Sequence, residues 1–183
     1  MKKNWVIVLC IGVIVSCTPS SKNAIVPYMD TKLLFEKAIK QLNTEHKILN
    51  KTLVFGDSVA IQNVKDVDWE TELRPFTEID LRKNTYKGRF NIKLERDDEH
   101  YISVKYIATD SKTDLKELSV TATKPDSMLF ELKAIFTEQN TLYSATKNMI
   151  YYADSLFTIN GSQQAKLGNE VTYSVTGTIN AGQ

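Results

Sequence analysis

The spacing of hydrophobic positions changes near residue 84, and this change divides the chain into a helical part and a strand-rich part. Between Asp30 and Leu49, apolar residues recur every three or four positions, which is the spacing of one face of an α-helix. Asp30 or Thr31 can cap the start of this helix. We expect its apolar face to pack on the protein's own sheet, a partner chain being the alternative. That face consists of Leu34, Phe35, Ala38, Ile39, Leu42, His46 and Leu49.

Two shorter units lie between this helix and residue 84. Residues 52–64 predict a β-hairpin, because two hydrophobic runs flank a Gly-Asp-Ser turn at residues 56–58. Residues 66–80 predict a helical segment whose acidic start suits a helix N-terminus. Since Pro75 does not fit inside a helix, we expect a break before it and a second short turn that begins there.

After Asn84 the hydrophobic positions alternate with polar ones, which is typical of strands with one buried and one wet face. Turn residues separate these strands, among them Asn160-Gly161-Ser162. The fold class is therefore α+β: a curved antiparallel meander of about 7–8 strands, open or closed into a partial barrel, covered by the N-terminal helix. The alternation places two sets on shared faces: Tyr86, Gly88, Phe90, Ile92 and Leu94, and Met128, Phe130, Leu132, Ala134 and Phe136.

The N-terminus carries the pattern of a secretory signal. Residues 1–4 are positively charged, and the uncharged run that follows, Trp5–Val15, is shorter than the about 20 residues of a membrane-spanning helix. The run ends in Ile14-Val15-Ser16-Cys17, which resembles the lipobox of bacterial lipoproteins. The resemblance implies that the Cys17 thiol receives diacylglycerol, that signal peptidase II cuts between Ser16 and Cys17, and that an acyl chain such as palmitate modifies the new amine.

This anchor determines the expected organisation of the chain. Residues 1–16 are the cleaved signal peptide, residues 17–29 are the lipidated cysteine with a polar tether, and residues 30–183 are one α+β domain. Removing 16 of 183 residues leaves 167, moves the formal charge from +1 to −1, and leaves Cys17 as the only cysteine. We therefore expect no disulfide and no nucleic-acid partner. We expect a lipid-anchored protein of the cell envelope, on the outer membrane facing the periplasm.

Two later stretches resemble small uncharacterised lipoproteins of Bacteroidota. The first is Asp66-x-Asp68-Trp69-Glu70-x-Glu72-Leu73-x-x-Phe76-x-x-x-Asp80, and the second runs from Leu142 through Tyr151-Tyr152 and Gln163-Gln164 to Gly177. The chain departs from that pattern at Pro75 and at Arg82-Lys83. The resemblance implies a compartment and an architecture, but no reaction, because that family carries no assigned activity.

One set of residues resembles the catalytic block of GDSL-type esterases. Gly56-Asp57-Ser58 would supply a Ser58 nucleophile, and Asp97-x-x-His100 would supply its base. Those enzymes have parallel strands and carry Asp-x-x-His near the C-terminus, whereas more than 80 residues follow His100 here. Gly-Asp-Ser is also what a hairpin turn favours. We therefore expect a turn and a protein that is not an enzyme.

Candidate metal ligands are few. Residues 97–100, Asp-Asp-Glu-His, could face a cation, but four consecutive turn residues point in different directions and favour a solvated turn. His46 is expected at the edge of the core. With two histidines and no free cysteine, we expect no metal and no cofactor.

The aromatic residues suggest binding surfaces, each with a structural alternative. Trp69 with Phe76 could form an aromatic patch, although core packing is the simpler interpretation. Four tyrosines could line a ligand groove, or could belong to a half-wet sheet: Tyr143, Tyr151, Tyr152 and Tyr173. We expect a non-enzymatic module that binds a lipid or another apolar ligand. The alternative is an accessory or assembly subunit of an envelope complex that docks through its open face or a sheet edge.

Overall fold

The structure is a computed structural model that describes residues 29–182. The predicted signal peptide, the predicted lipobox with Ser16 and Cys17, and the predicted tether up to residue 28 lie outside the described residues. No helix of the described part is long and apolar enough to cross a membrane. The elements are α1 (Thr31–Thr44), β1 (Ile48–Phe55), β2 (Ser58–Val64), α2 (Trp69–Glu72), α3 (Arg74–Thr77), β3 (Phe90–Asp97), β4 (Tyr101–Ala108), β5 (Leu115–Thr123), β6 (Leu129–Gln139), β7 (Tyr143–Tyr152), β8 (Leu156–Ala165) and β9 (Glu170–Asn180).

Helix α1 starts where the sequence predicts and ends five residues earlier. The Asp30 side chain accepts a hydrogen bond from the backbone N–H of Leu33 at 3.1 Å, so Asp30 caps the helix. At the other end, the N–H of Lys47 donates to the carbonyl of Leu42, and His46 has a φ of +50°. This pattern is a Schellman ending, in which one left-handed residue stops the helix. The predicted helix to Leu49 is therefore wrong at its end, because the chain reverses at His46 and Leu49 belongs to β1.

The segment after β2 forms two short helices, and the predicted break before Pro75 is confirmed. The Asp68 side chain caps α2 by accepting from the backbone N–H of Thr71 at 3.0 Å. Pro75 lies in the first turn of α3, where its missing N–H costs no hydrogen bond. Lys51 of β1 pairs with Glu72 of α2 at 2.7 Å, and this ion pair joins the helices to the sheet.

All nine strands form one open antiparallel sheet in the order β2-β1-β9-β8-β7-β6-β5-β4-β3. An antiparallel sheet is confirmed, and β3 to β9 lie side by side in chain order as a meander, but the sheet has nine strands instead of the expected 7–8. The hairpin of β1 and β2 joins the same sheet because β1 pairs with β9, whose paired residues are 118 to 132 positions away along the chain. The sheet is open, since β2 and β3 are its two edges and do not pair.

Three details of the strand prediction also differ. Tyr86 and Gly88 lie in turns before β3 rather than on it. Phe130 does not share a face with Leu132 and is exposed. Thr121 pairs with Glu131, but the next residue, Ala122, pairs with Leu129, so a β-bulge at Phe130 interrupts the alternation of faces. The expected turn at residues 160–162 lies inside β8.

The hydrophobic core lies between the three helices and one face of the sheet, which we call the inner face. Residues that pair across antiparallel strands point to the same side of the sheet. Leu49 is buried on the helices' side of β1, so its partner Ile179 on β9, and the residues paired with that row on the next strands, lie on the inner face. Phe35 of α1 contacts Tyr151 of β7 with ring centroids 5.1 Å apart. Phe76 of α3 contacts Phe157 of β8 at 6.0 Å. These rings fill the space between the helices and the sheet.

Candidate binding surface

The inner face of the sheet has two halves that differ in what covers them. At one end of strands β7 and β8, Phe35 and Phe76 of the helices pack on the buried side chains of Tyr151 and Phe157, and we call this the covered half. At the other end of β1 and β6–β9, the inner side chains are exposed or half-buried. We call this second region the open half. Its residues are Leu53 and Phe55 on β1, Phe136 on β6, Ala145 and Lys147 on β7, Gly161 and Gln163 on β8, and Val171, Tyr173 and Val175 on β9.

Two aromatic contacts shape the open half. The ring of Tyr173 lies across Gly161 on the neighbouring strand, so closely that any Cβ at Gly161 would overlap it. The Nζ atom of Lys147 lies 4.3 Å from the ring centroid of Phe136, within the range of a cation–π contact. Between these two contacts is a groove of about 210 Å³. It combines two aromatic rings with charged groups at its rim, namely Asp114, Glu138 and Lys147.

The two edge strands of the sheet differ in chemistry. Edge strand β3 carries Lys93, Glu95, Arg96 and Asp97, and its register shifts between Leu94 and Arg96. Charges and bulges are the common protections of a sheet edge against pairing with another strand. Strand β2, Ser-Val-Ala-Ile-Gln-Asn-Val, has no charge, no proline and no bulge. The sequence contains this uncharged strand, but only the strand order shows that it is an edge.

His46 lies outside the core, contrary to its expected position at the core edge on a helix. It lines a cleft of about 780 Å³ at the end of α1. The cleft also contains both signs of charge, from Lys47, Lys65, Asp66 and Asp68. Within residues 29–182, no group of three or more His, Cys, Asp or Glu side chains is arranged to hold a metal ion.

The esterase residues are far apart. Ser58 is the first residue of edge strand β2 and pairs with Phe55, so Gly56-Asp57 is a two-residue hairpin turn. His100 lies in the turn between β3 and β4, at the opposite edge. Seven strands separate β2 from β3, so the structure does not bring Ser58 and His100 together.

The acidic turn before β4 is held by its own side chains. The Asp98 carboxylate accepts hydrogen bonds from the backbone N–H groups of His100 at 2.9 Å and Tyr101 at 2.8 Å. The Arg96 guanidinium beside it and these N–H donors lower the pKa of Asp98 to about 2. Asp97 pairs with Lys124. These carboxylates therefore serve the turn and its neighbouring strands, as in the solvated-turn interpretation.

The structure separates the aromatic candidates. Trp69 and Phe76 are fully buried, as the core-packing alternative requires. Of the four tyrosines, Tyr151 is in the core and Tyr152 is on the outer face, where Lys133 approaches its ring at 5.5 Å. Only Tyr143 and Tyr173 lie on the uncovered end of the inner face.

Comparisons of the chain with models of protein families, with curated protein sequences and with solved structures find no match. The candidate surface is therefore defined by geometry and chemistry alone.

Proposed function

We propose that this protein is a lipid-anchored binding module of the cell envelope, without catalytic activity, that binds a lipid or another apolar ligand on the open half. One observation carries the proposal. The open half presents Val171, which is 39% exposed, and the half-buried Phe136, Tyr173 and Val175 beside Phe55, which is 65% exposed. Contiguous apolar surface of this kind is typical of interaction sites.

The packing favours a ligand on the open half over a ligand between the helices and the sheet. An acyl chain between helices and sheet would have to displace Phe35 and Phe76 from Tyr151 and Phe157. Burial of such rings is worth about 1.5–3 kcal/mol each, so this displacement is costly. On the open half, an acyl chain would instead cover rings that already face solvent, with Lys147 placed to meet a carboxylate or phosphate head group.

The anchor is part of the proposal. Lipid on Cys17 would hold the domain at the outer membrane, facing the periplasm, on a short polar tether. Metabolic labelling with a palmitate analogue should mark the native chain and not Cys17→Ser. Equal labelling of both chains would show that Cys17 is not the lipidated residue.

A matched pair of variants tests the ligand site. Val171 on the open half and Ile135 on the outer face are 39% and 40% exposed. In the chain from residue 17 with Cys17→Ser, a fluorescent long-chain fatty acid should bind, and Val171→Ser should weaken binding about fivefold, corresponding to about 1 kcal/mol of lost apolar contact. Ile135→Ser should leave binding unchanged. Absence of binding, or equal loss in both variants, would exclude the open half as a fatty-acid site.

The second candidate is an accessory subunit that docks a protein of an envelope complex on the same half. The charged rim of the groove, Asp114, Glu138 and Lys147, favours it, because protein interfaces surround an apolar centre with polar groups. Crosslinking on membranes separates the two candidates. A crosslinked protein that is lost with Val171→Ser and kept with Ile135→Ser would favour docking over fatty-acid binding.

A further inference from the structure

The outward side of edge strand β2 has a defined set of backbone groups. The N–H of Gly56, just after β1, donates to the carbonyl of Thr172 near β9 at 3.0 Å. Even-numbered residues of β1 therefore bond toward β9, and odd-numbered ones bond toward β2. Through the β1–β2 register, the even-numbered residues of β2 bond to β1. Three residues of β2 consequently direct both N–H and C=O away from the sheet: Val59, Ile61 and Asn63.

The side chains on this edge are also open. Ile61 is 77% exposed, and Val59 is similarly exposed on the same outer face. With no charge, proline or bulge in Ser58–Val64, nothing in the strand opposes the addition of another strand. A continuous row of outward hydrogen-bonding groups beside apolar side chains is the geometry that β-augmentation uses.

We propose that β2 pairs antiparallel with β2 of a second copy of this chain, around a two-fold axis through Ile61. The two nine-stranded sheets then form one continuous sheet. In this register Ile61 lies opposite Ile61 of the second copy, Val59 lies opposite Asn63, and Ala60 lies opposite Gln62. All three outward residues of each strand then exchange hydrogen bonds with outward residues of the other.

Charge complementarity favours a second copy of the chain as the partner, and it favours one register of the two strands. Asp57 precedes β2 and Lys65 follows it, and both are exposed. With the axis at Ile61, Asp57 of each copy lies opposite Lys65 of the other, so this one contact occurs twice by symmetry. A shift by two residues would place Asp57 opposite Asn63 or Val67 and lose both ion pairs. The edge is therefore complementary to itself in one register, as an isologous interface must be.

The expected dimer is weak in solution. One pair of seven-residue strands buries less surface than the about 1,200 Å² at the lower end of stable interfaces. A lipid anchor confines both copies to one membrane and raises their effective concentration, which favours such a weak contact. A covalent trap is therefore the appropriate first test.

Cysteine trapping tests the axis. The chain from residue 17 with Cys17→Ser has no cysteine, so Ile61→Cys introduces a single thiol. Hydrogen-bonded antiparallel pairs have Cα atoms about 5.5 Å apart, within the range of disulfides. Under mild oxidation we expect Ile61→Cys to crosslink several-fold more than Leu142→Cys, a loop position of matched exposure at 74%. Equal crosslinking of the two variants would overturn the proposal.

The register has its own controls. Val59→Cys and Asn63→Cys should each crosslink poorly alone and efficiently when mixed. In sedimentation at high concentration, Asp57→Lys should dissociate the dimer, and Asp57→Lys combined with Lys65→Asp should restore it. The charge variants decide the question if Ile61→Cys does not fold, which circular dichroism reports. A chain that is monomeric at all concentrations, or a double variant that restores nothing, contradicts the proposal.

Discussion

The covered and open halves of the inner face contain the same local arrangement in different surroundings. In the covered half the ring of Phe157 lies across Gly177, and in the open half the ring of Tyr173 lies across Gly161. A Cβ at either glycine would overlap the ring. Phe157 is 1% exposed beneath Phe76, whereas Tyr173 is half-buried at a groove. Strand pairing thus makes both contacts, and the helical layer alone makes one of them part of the core.

The largest expected difference in stability is between Phe76, which packs on the covered half, and Phe55, which lies on the open half. Phe76→Ala should lower the free energy of unfolding by about 3–5 kcal/mol, because it leaves a cavity among Phe35, Tyr151 and Phe157. Phe55→Ala should lower it by about 1 kcal/mol or less, since most of that ring faces water. Urea unfolding followed by circular dichroism measures both. Similar losses would show that the open half is part of the core.

Substituting the two glycines should also cost more stability in the covered half than in the open half, but the difference should be smaller than for the phenylalanines. The Cβ of Gly177→Ala would overlap the buried Phe157 ring and crowd Leu49, and such overpacking costs about 1–3 kcal/mol. Gly161→Ala can be accommodated if the Tyr173 ring moves into the open groove, so its cost should stay below about 1 kcal/mol. The midpoints of urea unfolding, at an unchanged m-value, compare the stability of the two variants. A larger loss at Gly161 than at Gly177 would contradict the assignment of the halves.

The smallest expected effect is the response of the helical layer to acid. Hydrogen bonds from the Thr71 side chain and backbone hold the pKa of Asp68 below its ordinary value of 3.8. A lowered carboxyl pKa stabilises the fold above that ordinary value, and the stabilisation is lost as the pH falls through the lowered one. Asn also caps helices but does not titrate in this range. The Tm of the native chain should therefore fall more than that of Asp68→Asn between pH 6 and pH 3, whereas parallel curves would exclude this contribution.

Local chemistry explains which elements were predictable. The stripe of α1, its cap at Asp30 and the break before Pro75 depend on neighbours within one or two turns. The end of α1 was predicted too late because apolar spacing continues through His46 to Leu49, while a left-handed residue reverses the chain. Gly161 was predicted as a turn because glycine favours turns, although its role is to make room for the Tyr173 ring. That ring comes from a strand paired only in the tertiary structure.

The sequence shows which residues the candidate surface contains, but it does not show how they are arranged. The sequence contains an uncharged strand at Ser58–Val64, exposed aromatic positions and the Gly-Asp-Ser turn. Which strand is an edge depends on the pairing of β1 with β9, and this pairing joins residues 118 to 132 positions apart. The same sheet order places Ser58 and His100 at opposite edges.

By itself the sequence determined the helix that covers the sheet, the antiparallel strands, and the prediction of a lipid anchor at Cys17, because periodicity and short motifs act over a few residues. Only the tertiary structure decided that nine strands form one open sheet, that the helices cover one half of its inner face, and that β2 lies uncharged at its edge. The physical reason is that these properties arise from contacts between distant residues, where burial is a property of the assembled layers and not of any single segment.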